Sequence, residues 1–189
     1  MKAICVYCGS SPGIRDDYTL AAKSLAVALT ERDLALVYGG ASKGIMGVLA
    51  DAVLERGGRV IGVIPQALRD KEIAHPTLSE LHVVASMHER KALMAELADG
   101  FIALPGGFGT LEEIIETVTW AQLGFHSKPC GLLNIAGYYE PLLAFIASSV
   151  REGFVRDEHQ TMLMVEEQAD SLLENFASYQ PVLRDKWQR

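Results

Sequence analysis

The sequence predicts an α/β fold: one Rossmann-like, doubly wound parallel sheet of about seven strands with helices on both faces. Two patterns lead there. Apolar runs of strand length alternate with helix-period segments almost from end to end, and alternation of that kind demands crossover connections between parallel strands. The strand runs are also near-continuously hydrophobic, as befits strands covered on both sides. The 189 residues fit one such domain, spanning 1–189.

The elements follow in order. Residues 3–8 read as a strand and 18–32 as a helix with Leu20, Leu25, Val27, Ala28 and Leu29 turned inward. Residues 34–38 form a strand closed by Gly39-Gly40, and 44–56 a helix stopped by Gly57-Gly58. A strand at 60–64 ends at Pro65. Residues 66–80 lack a period and contain Pro76, so they read as a long loop with room for one helical turn. Strand 81–85, helix 87–98 and strand 101–104 follow, then helix 110–123, strand 130–135, helix 138–152, strand 162–165 and helix 169–179.

Three of these strands end in small, flexible sequences: Cys8-Gly9-Ser10-Ser11, Tyr38-Gly39-Gly40-Ala41-Ser42-Lys43-Gly44 and Leu104-Pro105-Gly106-Gly107-Phe108-Gly109-Thr110. Parallel strands put all three tips on one edge, where ligands bind in such sheets. Glycine admits close approach of a ligand to the backbone, and a helix start offers free N–H groups with about half a positive charge. Gly106, Gly107, Gly109 and Thr110 therefore suit a phosphate, with Gly9, Ser10 and Ser11 as a second wall and Gly40 a further binding candidate on the tip of the second strand. The plain alternative is that the glycines only make tight turns. No Gly-Lys-[Ser/Thr] occurs, and no Gly-x-Gly-x-x-Gly with a following acidic residue, so triphosphate and dinucleotide sites are disfavoured.

Composition narrows the partners. With 17 Lys plus Arg against 24 Asp plus Glu, the formal charge is −7, which gives no general attraction to a nucleic-acid backbone. No stretch approaches the roughly 20 apolar residues of a membrane helix, and the apolar run after Lys2 is too short for a secretory signal. Three cysteines argue against a disulfide framework and for the cytoplasm. Cys5-x-x-Cys8 lies within a strand, where residues three apart face opposite sides, so its role is structural. His75, His82, His88, His126 and His159 are scattered, and no metal or other cofactor is expected.

Two charged groups stand near the glycine tips. Thr110-x-x-Glu113 also reads as a capping box, yet Pro105-Gly106-Gly107 sets the carboxylate of Glu113 beside an anion pocket, where it repels the ligand unless it serves a reaction. Glu112 and Glu116 share a helix face, one of them solvated or paired. Arg90 and Lys91 open the helix before the fifth strand. Either meets a phosphate, a carboxylate or water, and the planar fork of Arg90 is the better anion binder.

These motifs together resemble the LONELY GUY family of cytokinin riboside 5′-monophosphate phosphoribohydrolases, often mislabelled lysine decarboxylases. The resemblance rests on Pro105-Gly106-Gly107-Phe108-Gly109-Thr110-Leu111-Glu112-Glu113, which fits P-G-G-x-G-T-x-x-E. Cys8-Gly9-Ser10-Ser11, Val37-Tyr38-Gly39-Gly40, Gly44-Ile45-Met46-Gly47, Met87-His88-Glu89-Arg90-Lys91 and Thr119-Trp120-Ala121-Gln122-Leu123-Gly124 extend it over residues 3–150. It implies hydrolysis of AMP or N6-prenylated AMP to free base and ribose 5-phosphate, without a cofactor, by a homodimer with its sites near the subunit interface. It implies Arg90 and Glu113 as the catalytic pair. Glu72, Lys91, Gly107 through Glu113 (thus Leu111 and Glu112 as well) and Thr119 match substrate-contacting positions, with Glu72 a partner for a ribose hydroxyl. Ala41-Ser42-Lys43 departs from many relatives, which carry Gly-Ser-Val there.

The chemistry suits a single carboxylate. Breaking a ribosyl C–N bond builds positive charge at C1′ and O4′, which a neighbouring carboxylate stabilises more than it does the neutral ground state. Glu113 serves in that way or as the base that orients water, and Arg90 balances the phosphate or steadies the departing base. The rival readings are a nucleotide-binding module without catalysis and a pyridoxal-dependent lysine decarboxylase, for which no clear Schiff-base lysine is evident. A purely structural dimer leaves the glycine-rich edge unexplained.

Overall fold

A computed structural model describes residues 1–71 and 74–181. Its core is the expected parallel sheet, seven strands in the order β4-β3-β2-β1-β5-β6-β7. The strands are β1 (Ala3–Tyr7), β2 (Ala35–Tyr38), β3 (Val60–Pro65), β4 (Glu80–Val84), β5 (Gly100–Ala103), β6 (Cys130–Leu133) and β7 (Leu163–Glu166). The order runs one way from β1 to β4 and the other way from β5 to β7. β1 and β5 therefore flank the point where the direction of winding reverses, and a crevice opens there.

The helices are α1 (Asp16–Glu31), α2 (Gly44–Glu55), α3 (Gln66–Arg69), α4 (Met87–Leu97), α5 (Phe108–Gln122), α6 (Glu140–Arg151), α7 (Asp157–Gln160) and α8 (Ala169–Ala177). Two cores result, one on each side of the sheet. Ile4, Val6 and Cys8 pack with α1, α2 and α8 on one side, and Ala3, Cys5 and Tyr7 pack with α4 and α5 on the other. Cys5 and Cys8 thus face opposite cores. Both are buried free thiols, and burial pushes both well above the ordinary thiol range.

Four details away from the cleft differ from the sequence reading. Leu20 is 61% exposed, because it lies about 200° around α1 from buried Ala22. Val27 is half-buried. The helix expected from residue 138 starts at Glu140, since Ala136 and Gly137 take left-handed φ values of 52° and 72° and break the spiral after a 3₁₀ turn at Ile135–Gly137. A one-turn helix, α7, occupies a stretch with no assigned element. The five inner strands carry unbroken apolar burial or nearly so, but β4 at the edge leaves Leu81 and Val83 more than a third exposed. Among the described residues no helix is long and apolar enough to cross a membrane.

Candidate active site

The tips of β1, β2 and β5 are adjacent in the sheet, and a cleft of about 590 Å³ opens above them. Gly9 and Ser10 come from the first tip, Gly39, Ala41 and Lys43 from the second, and Gly107, Phe108, Gly109 and Thr110 from the third. Arg90 and Glu113 lie at its base with Tyr7 and Cys8. A group of apolar side chains, Met46, Ile64, Leu68 and Met87, forms the opposite wall.

α5 begins earlier than its sequence suggests. Gly107 is the N-cap and Phe108 the first helical residue, so Thr110 lies inside the first turn and Thr110-x-x-Glu113 is no capping box. The start of the helix, with its free N–H groups, therefore stands at the cleft, whose lining includes Gly107, Phe108, Gly109 and Thr110. Gly106 is required beneath them: a Cβ there would overlap the Thr110 hydroxyl and come within 2.8 Å of the Gly9 nitrogen. A true cap holds α4 instead. The Ser86 hydroxyl accepts from the Glu89 N–H at 3.1 Å, and the Glu89 carboxylate accepts from the Ala85 N–H at 2.9 Å.

That cap fixes the helix carrying Arg90. The Arg90 Nη1 donates to Glu113 Oε1 at 2.7 Å, and its Nε donates to the Val63 carbonyl at 3.1 Å. Both side chains are about nine-tenths buried. Two of the guanidinium nitrogens are thus engaged by the protein, on the carboxylate and on β3. Gly39 makes room for the third, because a Cβ at that position would overlap Arg90 Nη2. The backbone of Glu113 is bonded as well. Thr117 donates its hydroxyl proton to the Glu113 carbonyl at 2.8 Å, so Tyr7 is the donor in the 3.0 Å contact between Tyr7 and Thr117. Burial raises the carboxyl of Glu113 above the ordinary range, and the Arg90 charge opposes that rise without cancelling it.

The remaining expected residues fall elsewhere. Lys91 is absent from the cleft lining and pairs with Glu112 and, at 2.8 Å, with Glu116. Leu111 packs into the core under α5. Thr119 donates its hydroxyl to the Ile115 carbonyl at 2.7 Å. Gly40, with φ of 76°, turns toward Ile64 and Leu81, and its neighbour Gly39 is the residue that lines the cleft. Glu72 lies outside the described residues. The apolar wall escaped the sequence reading because its members come from α2, β3, α3 and α4, and no spacing links them. Among the described residues no group of three or more His, Cys, Asp or Glu side chains is arranged to hold a metal ion.

Comparison with known proteins matches residues 46–176 to a family model described as possible lysine decarboxylase. The chain is 51% identical over 181 residues to cytokinin riboside 5′-monophosphate phosphoribohydrolase LOG5 of Arabidopsis thaliana, covering 96% of this chain and 79% of that protein. It is 48% identical over 180 residues to cytokinin riboside 5′-monophosphate phosphoribohydrolase LOG of Oryza sativa subsp. japonica, covering 95% and 74%. Among solved structures, the molybdenum cofactor carrier protein of Chlamydomonas reinhardtii superposes with a TM-score of 0.68 at 19% identity, covering 94% of this chain and 99% of that one. The molybdenum cofactor binding protein of Rippkaea orientalis gives 0.71 at 18% identity, covering 94% and 97%. At that identity the two structures speak for the shared fold alone.

Proposed function

The chain belongs to the family of cytokinin riboside 5′-monophosphate phosphoribohydrolases, the one matched by the possible lysine decarboxylase model, and from that premise we propose that it hydrolyses the N-glycosidic bond of AMP-type nucleotides. The products are the free base and ribose 5-phosphate. The observation that carries this reading is the buried carboxylate of Glu113 at the base of a glycine-walled cleft, paired with Arg90 at 2.7 Å. A site that only bound an anion would gain nothing from a carboxylate there.

The geometry supports the following roles. The N–H groups at the start of α5 receive the 5′-phosphate. The apolar wall of Met46, Ile64, Leu68 and Met87 receives the base. The ribose then lies over Glu113. Arg90 occupies Oε1 of that carboxylate and favours its ionised form, which leaves Oε2 for the sugar. As the C–N bond breaks, positive charge at C1′ and O4′ comes under the field of Oε2 in a site with little water to screen it. Water adds its oxygen to C1′ as Oε2 accepts its proton, the electron pair of the C–N bond leaves on the base nitrogen, and the proton then passes from Oε2 through solvent to that nitrogen, which restores the carboxylate. The carboxylate thereby stabilises the cation and activates the water in one position.

Arg90 therefore acts through Glu113 rather than on the phosphate. The homodimer implied by the family fits the exposed aromatic residues Phe125, Phe145 and Phe154 on and beside α5 and α6. Sedimentation at micromolar concentration tests it, with a mass about twice the 20.6 kDa chain expected and a monomer contradicting it. The activity itself is tested by incubating purified protein with AMP and with N6-isopentenyl-AMP and separating the products. Free base appearing with ribose 5-phosphate is the expected result, and intact nucleotide after long incubation overturns the assignment.

A further inference from the structure

The turn that presents the α5 amides is held from behind by donors that neither the motif nor the fold accounts for. Three successive carbonyls of that turn each receive a hydrogen bond. The Tyr139 hydroxyl donates to the Leu104 carbonyl at 2.7 Å, the Gly9 N–H to the Pro105 carbonyl at 3.1 Å, and the Tyr138 hydroxyl to the Gly106 carbonyl at 2.6 Å. The two tyrosines come from one tight segment after β6. Asn134 fixes that segment, accepting from the Tyr139 N–H at 2.8 Å and donating to Glu140 at 2.7 Å. Tyr138 is further steadied by edge contacts with the rings of Tyr18 and Tyr139, at 5.6 and 5.0 Å between centroids.

The consequence is a matter of peptide geometry. A trans peptide unit points its C=O and its N–H in opposite directions. Holding the Gly106 carbonyl against Tyr138 therefore aims the Gly107 N–H the other way, toward the cleft. Glycine stands on both sides of that unit, so nothing in the local conformational preference resists a flip. A flipped unit would set a carbonyl oxygen where the anion binds.

We propose that Tyr138 is a positioning residue for the reaction, its hydroxyl locking the Gly106–Gly107 peptide so that the Gly107 N–H faces the 5′-phosphate. Tyr139 and Gly9 hold the two preceding units in the same sense. Tyr138 is absent from the lining of the cleft that Gly107 helps to form, so its effect should reach the phosphate alone. The inference rests on the proposed reading of the cleft as a nucleotide site.

The test is Tyr138→Phe, which removes one oxygen and keeps the ring contacts. In the full-length protein, KM for AMP should rise about tenfold, the worth of one good hydrogen bond, while kcat falls less than KM rises. The inhibition constant of ribose 5-phosphate should rise by the same factor, and that of adenosine, which lacks the phosphate, should stay as in the wild type. An unchanged constant for ribose 5-phosphate overturns the proposal, and so does an equal loss for adenosine, which is the mark of general loosening. Calorimetric titration of AMP into Glu113→Gln and into Glu113→Gln/Tyr138→Phe separates this from the enzymatic reading. Weaker binding by the double variant supports the positioning role even if the wild type proves unable to cleave AMP, and equal binding refutes it.

Discussion

Arg90 and Lys91 are neighbours on α4, and Glu112 and Glu113 are neighbours on α5, yet the two ion pairs they make have different surroundings. Arg90 and Glu113 meet in the cleft with both side chains about nine-tenths buried. Lys91 is equally covered, but its partners are not: Glu112 is 54% exposed and Glu116 29%. One residue along a helix turns the side chain by about 100°, and that rotation on each helix separates a pair that lines the cleft from a clamp between helices. Burial works to lower the Lys91 ammonium, but its bonds to Glu112 and Glu116 outweigh it and hold the group above the ordinary range. Adjacent charges of identical type therefore serve different ends, and only the cleft distinguishes them.

The largest test of that contrast is Glu113→Gln. It keeps the shape and one acceptor for Arg90 but removes the charge, so turnover of AMP should fall by about 10³-fold with the circular dichroism spectrum retained. Glu112→Gln in the same assay should stay within about threefold of wild type, since an exposed partner is screened by water. Equal losses in the two variants would erase the distinction. Next comes Arg90→Ala, which leaves a buried carboxylate without its partner. Activity should drop about a hundredfold and unfolding by denaturant should show a loss of about 3 kcal/mol.

Lys91→Ala should cost only about 1 kcal/mol, with KM for AMP close to wild type. A tenfold rise in KM would instead make Lys91 a substrate contact. The smallest effect is on the pH profile. Glu113 must be ionised to act, and burial raises its carboxyl above the ordinary 4.5, so the acid limb of kcat/KM should lie above that value. Activity is then lost as the pH falls through that raised value. The Lys91 charge lowers the Glu113 carboxyl and the Glu112 charge raises it, so Lys91→Ala should move the limb up and Glu112→Gln should move it down. Limbs that coincide in all three proteins would show that another group titrates there.

The sheet was legible because its signals are local. Apolar runs and glycine or proline stops delimit most strands to within a residue or two, and convergence of three glycine-rich tips on one edge follows from parallel pairing alone. Arg90 and Glu113 were legible as candidates, but their contact was not. It depends on the phase of α4 against α5, and α4 carries too many charges for its inward face to be read from periodicity. The Thr110-x-x-Glu113 pattern misled because the helix starts two residues earlier, at Phe108, on a glycine cap that has no side chain to announce it. The cap that does operate, Ser86 with Glu89, stands in the sequence in the expected spacing. Tyr138 and Tyr139 could not be found at all from the sequence, since hydroxyls that reach carbonyls more than thirty residues away leave no local trace.

Gly39 carries one last implication. The atom its missing side chain would strike is the far end of a long, jointed residue, so the fold could tolerate an added methyl by letting the guanidinium swing aside. A mutational survey would then record a well-folded, inactive protein at a position with no functional group of its own. Reading such a survey as a map of chemistry would credit the reaction to an empty space.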